Sequence, residues 1–317
     1  MAYHQTFWPV APALSPLVDH IWVMRCDEDR LEAAAGALLP QFIWQIDGQL
    51  GWIPPGGSEF ACYPATLLGS NAGALRLTSE GDNVAVGIGV FPEGWNRFVN
   101  LSAHMLIGQR LDLRRLWGAS AAAPLAAPPW ASDEDLVGLV HDLLTERLRQ
   151  APPLDPRVAT ISRWINGPAQ DINVLADELD VSPRQLARIA QRAHGLPPRL
   201  LANRHRVLKA AAMIASRLID VRDAWTEDFA DQSHFIREFR RFMGITPAAF
   251  LQKDGWLVRE VMRTRMDIAS AHPMGLASGQ VLGGVSIAEP SIAEWLEPTD
   301  PDALIAQSEI GPSIRPG

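Results

Sequence analysis

Polar and basic side chains stand at helical spacing at two places in the C-terminal half of this 317-residue chain. At the first place, Ser182 and Pro183 precede Arg184, Gln185 and Arg188. Ser is a favoured N-cap residue and Pro is favoured at the first helical position, so the pattern predicts a helix that begins at Pro183. Guanidinium, amide and hydroxyl groups on the first turns of such a helix can hydrogen-bond to phosphate oxygens and to base edges of a nucleic acid.

The second place has the same two-sided character. Phe235, Phe239 and Phe242 form an apolar stripe at the three- and four-residue spacing of a helix. The polar and basic side chains on its other face are Gln232, Ser233, His234, Arg237 and Arg241.

A preceding helix and a tight turn must hold each of these segments in place. In the first unit, the residues spaced to face one small core are Leu175, Leu179, Val181, Leu186 and Ile189. Ala176 is small where two helices must approach closely, and Ala224 and Phe229 repeat the separation of Ala176 and Val181. The spacing predicts a helix-turn-helix unit at each place.

At these residues the sequence resembles the AraC/XylS family of transcription regulators. The resemblance runs from Ile172 to Phe250 and includes the run from Asp231 to Phe239 and the ending Gly244-Ile245-Thr246-Pro247. It implies two helix-turn-helix subdomains that bind double-stranded DNA and are joined by one long helix. The apolar side of that helix would comprise Leu200, Val207, Ala211, Ile214 and Leu218.

The sequence departs from the family at both turns and in the second unit. Asp180 and Asp228 occupy turn positions that usually hold Gly, and Asp tolerates a positive φ at some cost. Asp223 and Glu227 stand where the family has apolar residues, and acids are poorly buried. We therefore expect the first helix of the second unit to be short or loosely packed, and the first unit to dominate sequence reading.

The charge of the chain is unevenly distributed. Its net charge is −8, but residues 155–254 contain 15 Lys and Arg against 12 Asp and Glu, whereas the remainder contains 13 against 24. A mildly basic segment in an acidic chain is typical of a DNA-binding domain joined to a separate sensor.

The N-terminal region, residues 1–118, is predicted to be β-rich. Val18 to Met24 and Val84 to Phe91 are largely apolar runs, and Gln41 to Ile53 contains the turn pair Asp47-Gly48, which predicts a hairpin. Short strands separated by Gly and Pro indicate a barrel-like or sandwich-like fold. This region also resembles, more loosely, the sensor region of a subgroup of the same family.

The predicted fold class is α+β, with a β-rich sensor or dimerisation domain followed by an all-α DNA-binding domain. We place the sensor at 1–118 and the double helix-turn-helix domain at 155–254. Residues 119–154 are predicted to be a linker with one helix capped by Ser132, and its Ala/Pro-rich part, 119–130, is predicted to be flexible. Residues 255–317 are predicted to hold a short helix, Trp256 to Met266, and a poorly ordered tail from Ala269.

Other classes of function lack their motifs. The histidines and the two cysteines have no metal-ligand spacing, and no phosphate loop or nucleophile elbow occurs, so we expect no metal, no cofactor and no enzymatic activity. We expect no membrane span and no signal peptide, which favours the cytoplasm. Four tryptophans on or beside predicted strands either line an effector pocket or belong to the core: Trp22, Trp44, Trp52 and Trp95.

We interpret the chain as a sequence-specific DNA-binding transcription regulator of the AraC family that responds to an effector. It would act at a promoter either as an activator that recruits RNA polymerase or by blocking the polymerase. Its expected partners are double-stranded DNA, RNA polymerase, an unknown small molecule and a second copy of the chain in a homodimer. One alternative is a degenerate family member that acts by protein contact. The other is an enzyme or small-molecule binding protein with a helical scaffold domain.

Overall fold

The N-terminal half of the chain forms an antiparallel sheet. The computed structural model describes residues 3–37, 39–167, 171–225, 229–267 and 285–288. The nine strands among these residues are β1 Tyr3–Trp8, β2 Val18–Cys26, β3 Arg30–Gly36, β4 Gln41–Ile53, β5 Phe60–Ala61, β6 Ala65–Leu68, β7 Leu75–Val90, β8 Arg110–Asp112 and β9 Val285–Ala288.

The sheet is open. Its strand order is β8-β6-β4-β7-β2-β1-β9, with β3 paired to β7 and β5 paired to β4. The first half of β7 pairs with β3 and its second half pairs with β2, so the long strand β7 spans the whole region. The expected β-rich N-terminal region of an α+β chain is confirmed, and its described strands do not close into a barrel.

The predicted hairpin at Asp47-Gly48 is wrong, because β4 continues through this pair. Two register shifts against β7 absorb the extra residues, and Gly48 has φ +69°. A side chain at position 48 would collide with the carbonyl of Asp82, at 2.2 Å from an added Cβ. Gln45 stabilises the bulge, since its Oε1 accepts from the amide of Leu50 at 3.0 Å and its Nε2 donates to Asn83 at 3.0 Å.

Helices cover the sheet and form the C-terminal half. The described α-helices are α1 Pro92–Phe98, α2 Arg114–Trp117, α3 Asp133–Arg149, α4 Pro156–Asn166, α5 Ile172–Glu178, α6 Pro183–His194, α7 Pro198–Ala215, α8 Gln232–Met243, α9 Pro247–Phe250 and α10 Trp256–Asp267. Short 3-10 helices lie at Ala103–Leu106, Gly118–Ala126 and Lys253–Gly255. No described helix is long and apolar enough to span a membrane.

The segment predicted to be a flexible Ala/Pro-rich linker is ordered against the sheet. It forms the 3-10 helix Gly118–Ala126, and Ala121 is fully buried. The indole Nε1 of the buried Trp44 donates to the carbonyl of Ala121 at 2.7 Å, which fixes the segment in place. Ser132 caps α3 as predicted, because its hydroxyl accepts from the amide of Asp135.

The four tryptophans divide between two sides of the sheet. Trp44 and Trp95 are fully buried in the core that the sheet forms with α1, α2 and α3. Trp22 and Trp52 belong to the core on the other side, where α10 packs. All four therefore belong to a core, and Trp22 and Trp52 also line a pocket described below.

The long helix α7 connects the two helix-turn-helix units. Val207, Ala211 and Ile214 are buried as predicted. Leu218 was expected on the same apolar side, but α7 ends at Ala215 and Leu218 is 63% exposed. The tail predicted from Ala269 lies outside the described residues, except for β9, which pairs with β1.

The sheet and the helical region share a hydrogen-bonded interface. The amides of Ala37 and Ala74 donate to the carbonyls of Phe242 at 2.6 Å and Arg241 at 2.9 Å, at the C-terminal end of α8. The buried guanidinium of Arg204 on α7 donates to the carbonyl of Asn71 at 3.3 Å. The two regions are therefore packed against each other rather than linked by a flexible segment.

Helix α10 joins both regions. Its residues Trp256 and Leu257 belong to the core of the sheet, and Val258 and Met262 belong to the core around α7 and α8. Near its C-terminal end, Arg265 donates to Asp19 of β2 at 2.6 Å, and the two side chains are 11% and 9% exposed. This buried ion pair connects the end of the helical region to the sheet.

We predict that Arg265→Met lowers the free energy of unfolding by roughly 3–5 kcal/mol at neutral pH, because the Asp19 carboxylate stays buried without its arginine. Urea denaturation followed by circular dichroism measures this change. The pKa of Asp19 is lowered in the folded chain, so the pair stabilises the fold above the unfolded pKa of about 4. The difference between wild type and variant should therefore shrink as the pH falls below that value.

Arg149→Met is the matched control, because the Arg149–Glu146 pair is exposed and should contribute little. Equal effects of the two substitutions would show that the Asp19–Arg265 pair does not hold α10 to the sheet.

Candidate DNA-binding surface and ligand pocket

The first turn of α6 carries the predicted site residues of the first unit. Ser182 caps this helix in a capping box, since its hydroxyl accepts from the amide of Gln185 at 3.3 Å and Gln185 Oε1 accepts from the amide of Ser182 at 2.9 Å. Arg184 and Arg188 are exposed on the same helix. Ser182 and Gln185 thus hold the start of the helix, while the two arginines project from it.

The turn before α6 has the geometry that the sequence predicts. Asp180 has φ +50°, which confirms that an Asp replaces Gly in the left-handed conformation. The amide of Val181 donates to the carbonyl of Ala176 at 3.0 Å and closes the turn. Leu175 and Leu186 are fully buried together with Phe91 of the sheet region, so the core of the first unit also depends on the sheet.

The second unit lacks a helix before its turn in the described residues. Residues 216–225 form turns and bends, and Asp223 is exposed, which agrees with the expected short or loose first helix. The predictions for Glu227 and Asp228 lie outside the described residues. Ala224, the counterpart of Ala176 in the first unit, is nevertheless buried, as expected for a small residue at a close approach.

Helix α8, the second helix of the second unit, is firmly packed. Phe235, Phe239 and Phe242 are at most 2% exposed. Edge-to-face contacts run from Phe229 to Phe235 at 5.0 Å, then to Phe239 at 5.4 Å and to Phe250 at 5.4 Å. These aromatic contacts pack α8 firmly although no helix precedes its turn among the described residues. That the first unit dominates sequence reading stays a prediction.

The predicted site residues of the second unit have different positions on α8. Gln232, Ser233 and Arg237 are exposed near its start. His234 is half-buried, its amide donates to the N-cap Asp231 at 2.7 Å, and its ring makes an edge contact with Phe229.

Arg241 lies at the other end of α8. Its carbonyl accepts from Ala74, and its guanidinium lies 3.8 Å from Glu238. Arg241 follows Arg237 by four residues, so its exposed side chain lies on the same face of α8, one turn closer to the end that bonds to the sheet region.

Two exposed residues of α8 were missed by the sequence analysis. Ile236 is 39% exposed, and Arg240 is exposed as well. Both follow Gln232 at four-residue intervals, so they lie on the same helix face. Counting from Gln232 at helical spacing would have found them.

Helices α6 and α8 both end against the sheet region. Gly195 after α6 and Gly244 after α8 have φ of +83° and +80°, and these left-handed residues terminate the helices. A Cβ at Gly195 would lie 2.6 Å from the hydroxyl of Ser70, which shows how closely the sheet region approaches. The N-terminal turns of both helices thus face outward while their C-terminal ends are held.

A pocket of about 740 Å³, counted with its open mouth, lies between the sheet and α10. Its aromatic lining consists of Tyr3, Phe7, Trp22 and Trp52. Leu257, Val261 and Arg265, at four-residue intervals on α10, form one wall. The polar residues of the lining are Gln5, Asp19, His20, Gln41 and Arg265, and Gln41 is 8% exposed.

The charged groups at this pocket neutralise each other. Asp19 Oδ2 accepts from Arg265 at 2.6 Å, and Asp19 Oδ1 lies 2.7 Å from His20 Nδ1. Burial alone would raise the pKa of Asp19, but Arg265 and His20 together hold it well below its ordinary value. No group of three or more His, Cys, Asp or Glu among the described residues could hold a metal ion.

We predict that Asp180→Gly raises the free energy of unfolding by up to about 1 kcal/mol, because Gly adopts a positive φ without the clash of a side chain. Asp180→Val should lower it by roughly 1–2 kcal/mol, because a β-branched residue is strained there. Thermal and urea denaturation of the full chain measure both changes. A stabilising Val substitution would contradict the left-handed turn.

Comparison with known proteins agrees with the geometry of this region. A family model described as a helix-turn-helix domain matches residues 175–253. No curated protein matches the chain. Among solved structures, ToxT from Vibrio cholerae is 14% identical with a TM-score of 0.43, and the alignment covers 74% of this chain and 97% of ToxT.

The AraC-like transcriptional activator CuxR is 13% identical with a TM-score of 0.24, over 66% of this chain and 86% of CuxR. The family match coincides with the two units described above, with the helix α7 between them and with the ending at α9. Residues 175–253 of this chain are thus similar to an AraC-type helix-turn-helix domain.

Proposed function

We propose that this protein is a sequence-specific DNA-binding transcription regulator whose activity responds to a small molecule. The observation that carries the proposal is the outward orientation of two recognition helices in one AraC-type domain. Each exposes basic and amide side chains on its first turns. The sheet region bonds to the other end of α8 and closely approaches Gly195 at the other end of α6. That arrangement suits insertion of both helices into the major groove.

The exposed side chains differ in their proposed roles. Arg184 and Arg188 of α6 contact bases and phosphates in one groove segment, and Gln232, Ser233 and Arg237 of α8 do so in the next. Ser182 and Gln185 set the start of α6, and Asp231 sets the start of α8 by accepting from the amide of His234. The side-chain Nε2 of Gln185 can still donate to DNA. We assign Arg241 a contact with the sheet region rather than with bases.

The small molecule would act from the pocket between the sheet and α10. Helix α10 forms a wall of this pocket and also packs in the core of α7 and α8. An occupant that moves α10 would therefore change the packing of the DNA-binding units, and would shift the population of the DNA-competent state. The proposal includes a cytoplasmic location, activation through RNA polymerase and a homodimer.

Selection of genomic fragments by the purified full chain tests the proposal. We expect enrichment of one sequence, protection of two successive major grooves about 10 base pairs apart, and affinity that falls steeply with salt. A degenerate family member that acts by protein contact would enrich no sequence. An enzyme with a scaffold domain would bind neither selected nor random DNA.

We predict that Arg188→Ala weakens binding to the selected site by roughly 1–3 kcal/mol and relaxes the preference at one or two base pairs, as for an arginine that contacts a base. Fluorescence anisotropy with wild-type and single-base variant sites measures both effects. Arg149→Ala on α3 is the control and should leave affinity unchanged, since Arg149 lies in the N-terminal half. An unaltered preference in Arg188→Ala would contradict a base contact.

We also predict that Ile236 contacts the methyl group of a thymine, because it is an exposed apolar side chain between polar groups on the groove-facing side of α8. Replacing each thymine of the site by deoxyuridine removes only that methyl group. At one position, the replacement should weaken binding by wild type about three- to tenfold. The same replacement should leave the affinity of Ile236→Ser unchanged. Equal sensitivity of wild type and variant would exclude this contact.

A further inference from the structure

The pocket between the sheet and α10 contains a buried acceptor that no described residue satisfies, the side-chain Oε1 of Gln41. Gln41 lies at the start of β4, where its backbone pairs with Leu68 and Gly89. Its side-chain Oε1 is buried and has no hydrogen-bond partner among the described residues. A buried acceptor without a donor is costly, so the site favours an occupant that supplies one.

The charges at the pocket do not call for a charged occupant. Arg265 and Asp19 pair with each other, and His20 also contacts Asp19. Arg204, the other buried guanidinium near Arg265, is not part of the lining and donates to Asn71. An added charge would have to break the Asp19–Arg265 pair to obtain a partner, and burying it unpaired is expensive.

The walls favour a ring-containing molecule. Aromatic side chains contributed by three strands surround the space, and Leu257 and Val261 close it from α10. Gly87 allows this arrangement, because a Cβ at that position would lie 2.3 Å from the ring of Trp22. Tyr3 is not a competing donor, since its hydroxyl already donates to Gln5 at 2.8 Å.

We propose that the pocket binds a neutral, mainly apolar aromatic molecule that donates one O–H or N–H hydrogen bond to Gln41 Oε1. This inference rests on the proposed effector response and names the chemical class of the effector. It excludes simple carboxylates and amines as the preferred occupants. It also assigns Gln41, rather than the charged groups beside it, as the residue that selects the ligand.

A matched series of biphenyls tests the proposal with the full chain. The probes are 4-phenylphenol, which donates a hydrogen bond, 4-methoxybiphenyl, which cannot donate, and biphenyl-4-carboxylate, which is charged. Isothermal titration calorimetry should show that wild type binds the phenol about tenfold more tightly than the ether, and the carboxylate most weakly. Equal affinity for phenol and ether, or tightest binding of the carboxylate, would overturn the proposal.

Gln41→Leu should weaken phenol binding about three- to tenfold and leave ether binding unchanged. Gln49→Leu is the control, because Gln49 is an exposed residue of the same strand outside the pocket. If Gln41→Leu does not fold, as judged by its thermal transition, Gln41→Met replaces it. An unchanged preference for the phenol in the folded variant would show that Gln41 is not the acceptor.

DNA binding is measured in parallel, so that the two proposals fail separately. No binding of any biphenyl by a chain that still binds its selected DNA site would contradict the ligand class and leave DNA binding intact. Binding of the phenol with no change in DNA affinity would support the ligand class and contradict the effector response.

Discussion

The architecture depends on the hydrogen bonds by which the sheet region holds the C-terminal end of α8. The amides of Ala37 and Ala74 donate to two of the last carbonyls of this helix, which have no partner within it. Gly36, with φ +75°, brings the loop after β3 close enough for these bonds, and Val258 of α10 lies 3.4 Å from its ideal Cβ position. The end of β3, the C-terminal end of α8 and the helix α10 therefore pack together around Gly36.

This junction makes the sheet part of the DNA-binding apparatus. Phe91 belongs to the core of the first unit, and Arg204 on α7 is buried against Asn71, where burial and Arg265 lower its pKa to about 10. A buried guanidinium is costly without hydrogen-bond partners, and the carbonyl of Asn71 is one such partner. The relative placement of the two recognition helices is accordingly set by the sheet region as well as by α7.

The second unit illustrates how packing compensates for an unfavourable sequence. Acids occupy positions where the leading helix should be apolar, and the described residues there form turns. A chain of edge-to-face aromatic contacts and the bonds from the sheet hold α8 instead. The two units reach the same outward orientation by different means, so they need not respond alike to movement of α10.

Features that depend on near neighbours in the chain could be predicted from the sequence. The start of α6 at Pro183, the capping role of Ser132 and the positive φ of Asp180 all follow from interactions within a few residues, and helical spacing identified the buried and exposed faces of α6 and α8. Features that depend on distant partners became known only from the fold. Asp47-Gly48 became a bulge because β7 pairs along the whole of β4, and the Ala/Pro-rich segment became ordered because Trp44 bonds to it. The pocket forms where α10 lies against five strands. It could not be predicted, because contacts between residues far apart in sequence leave no periodic pattern along the chain.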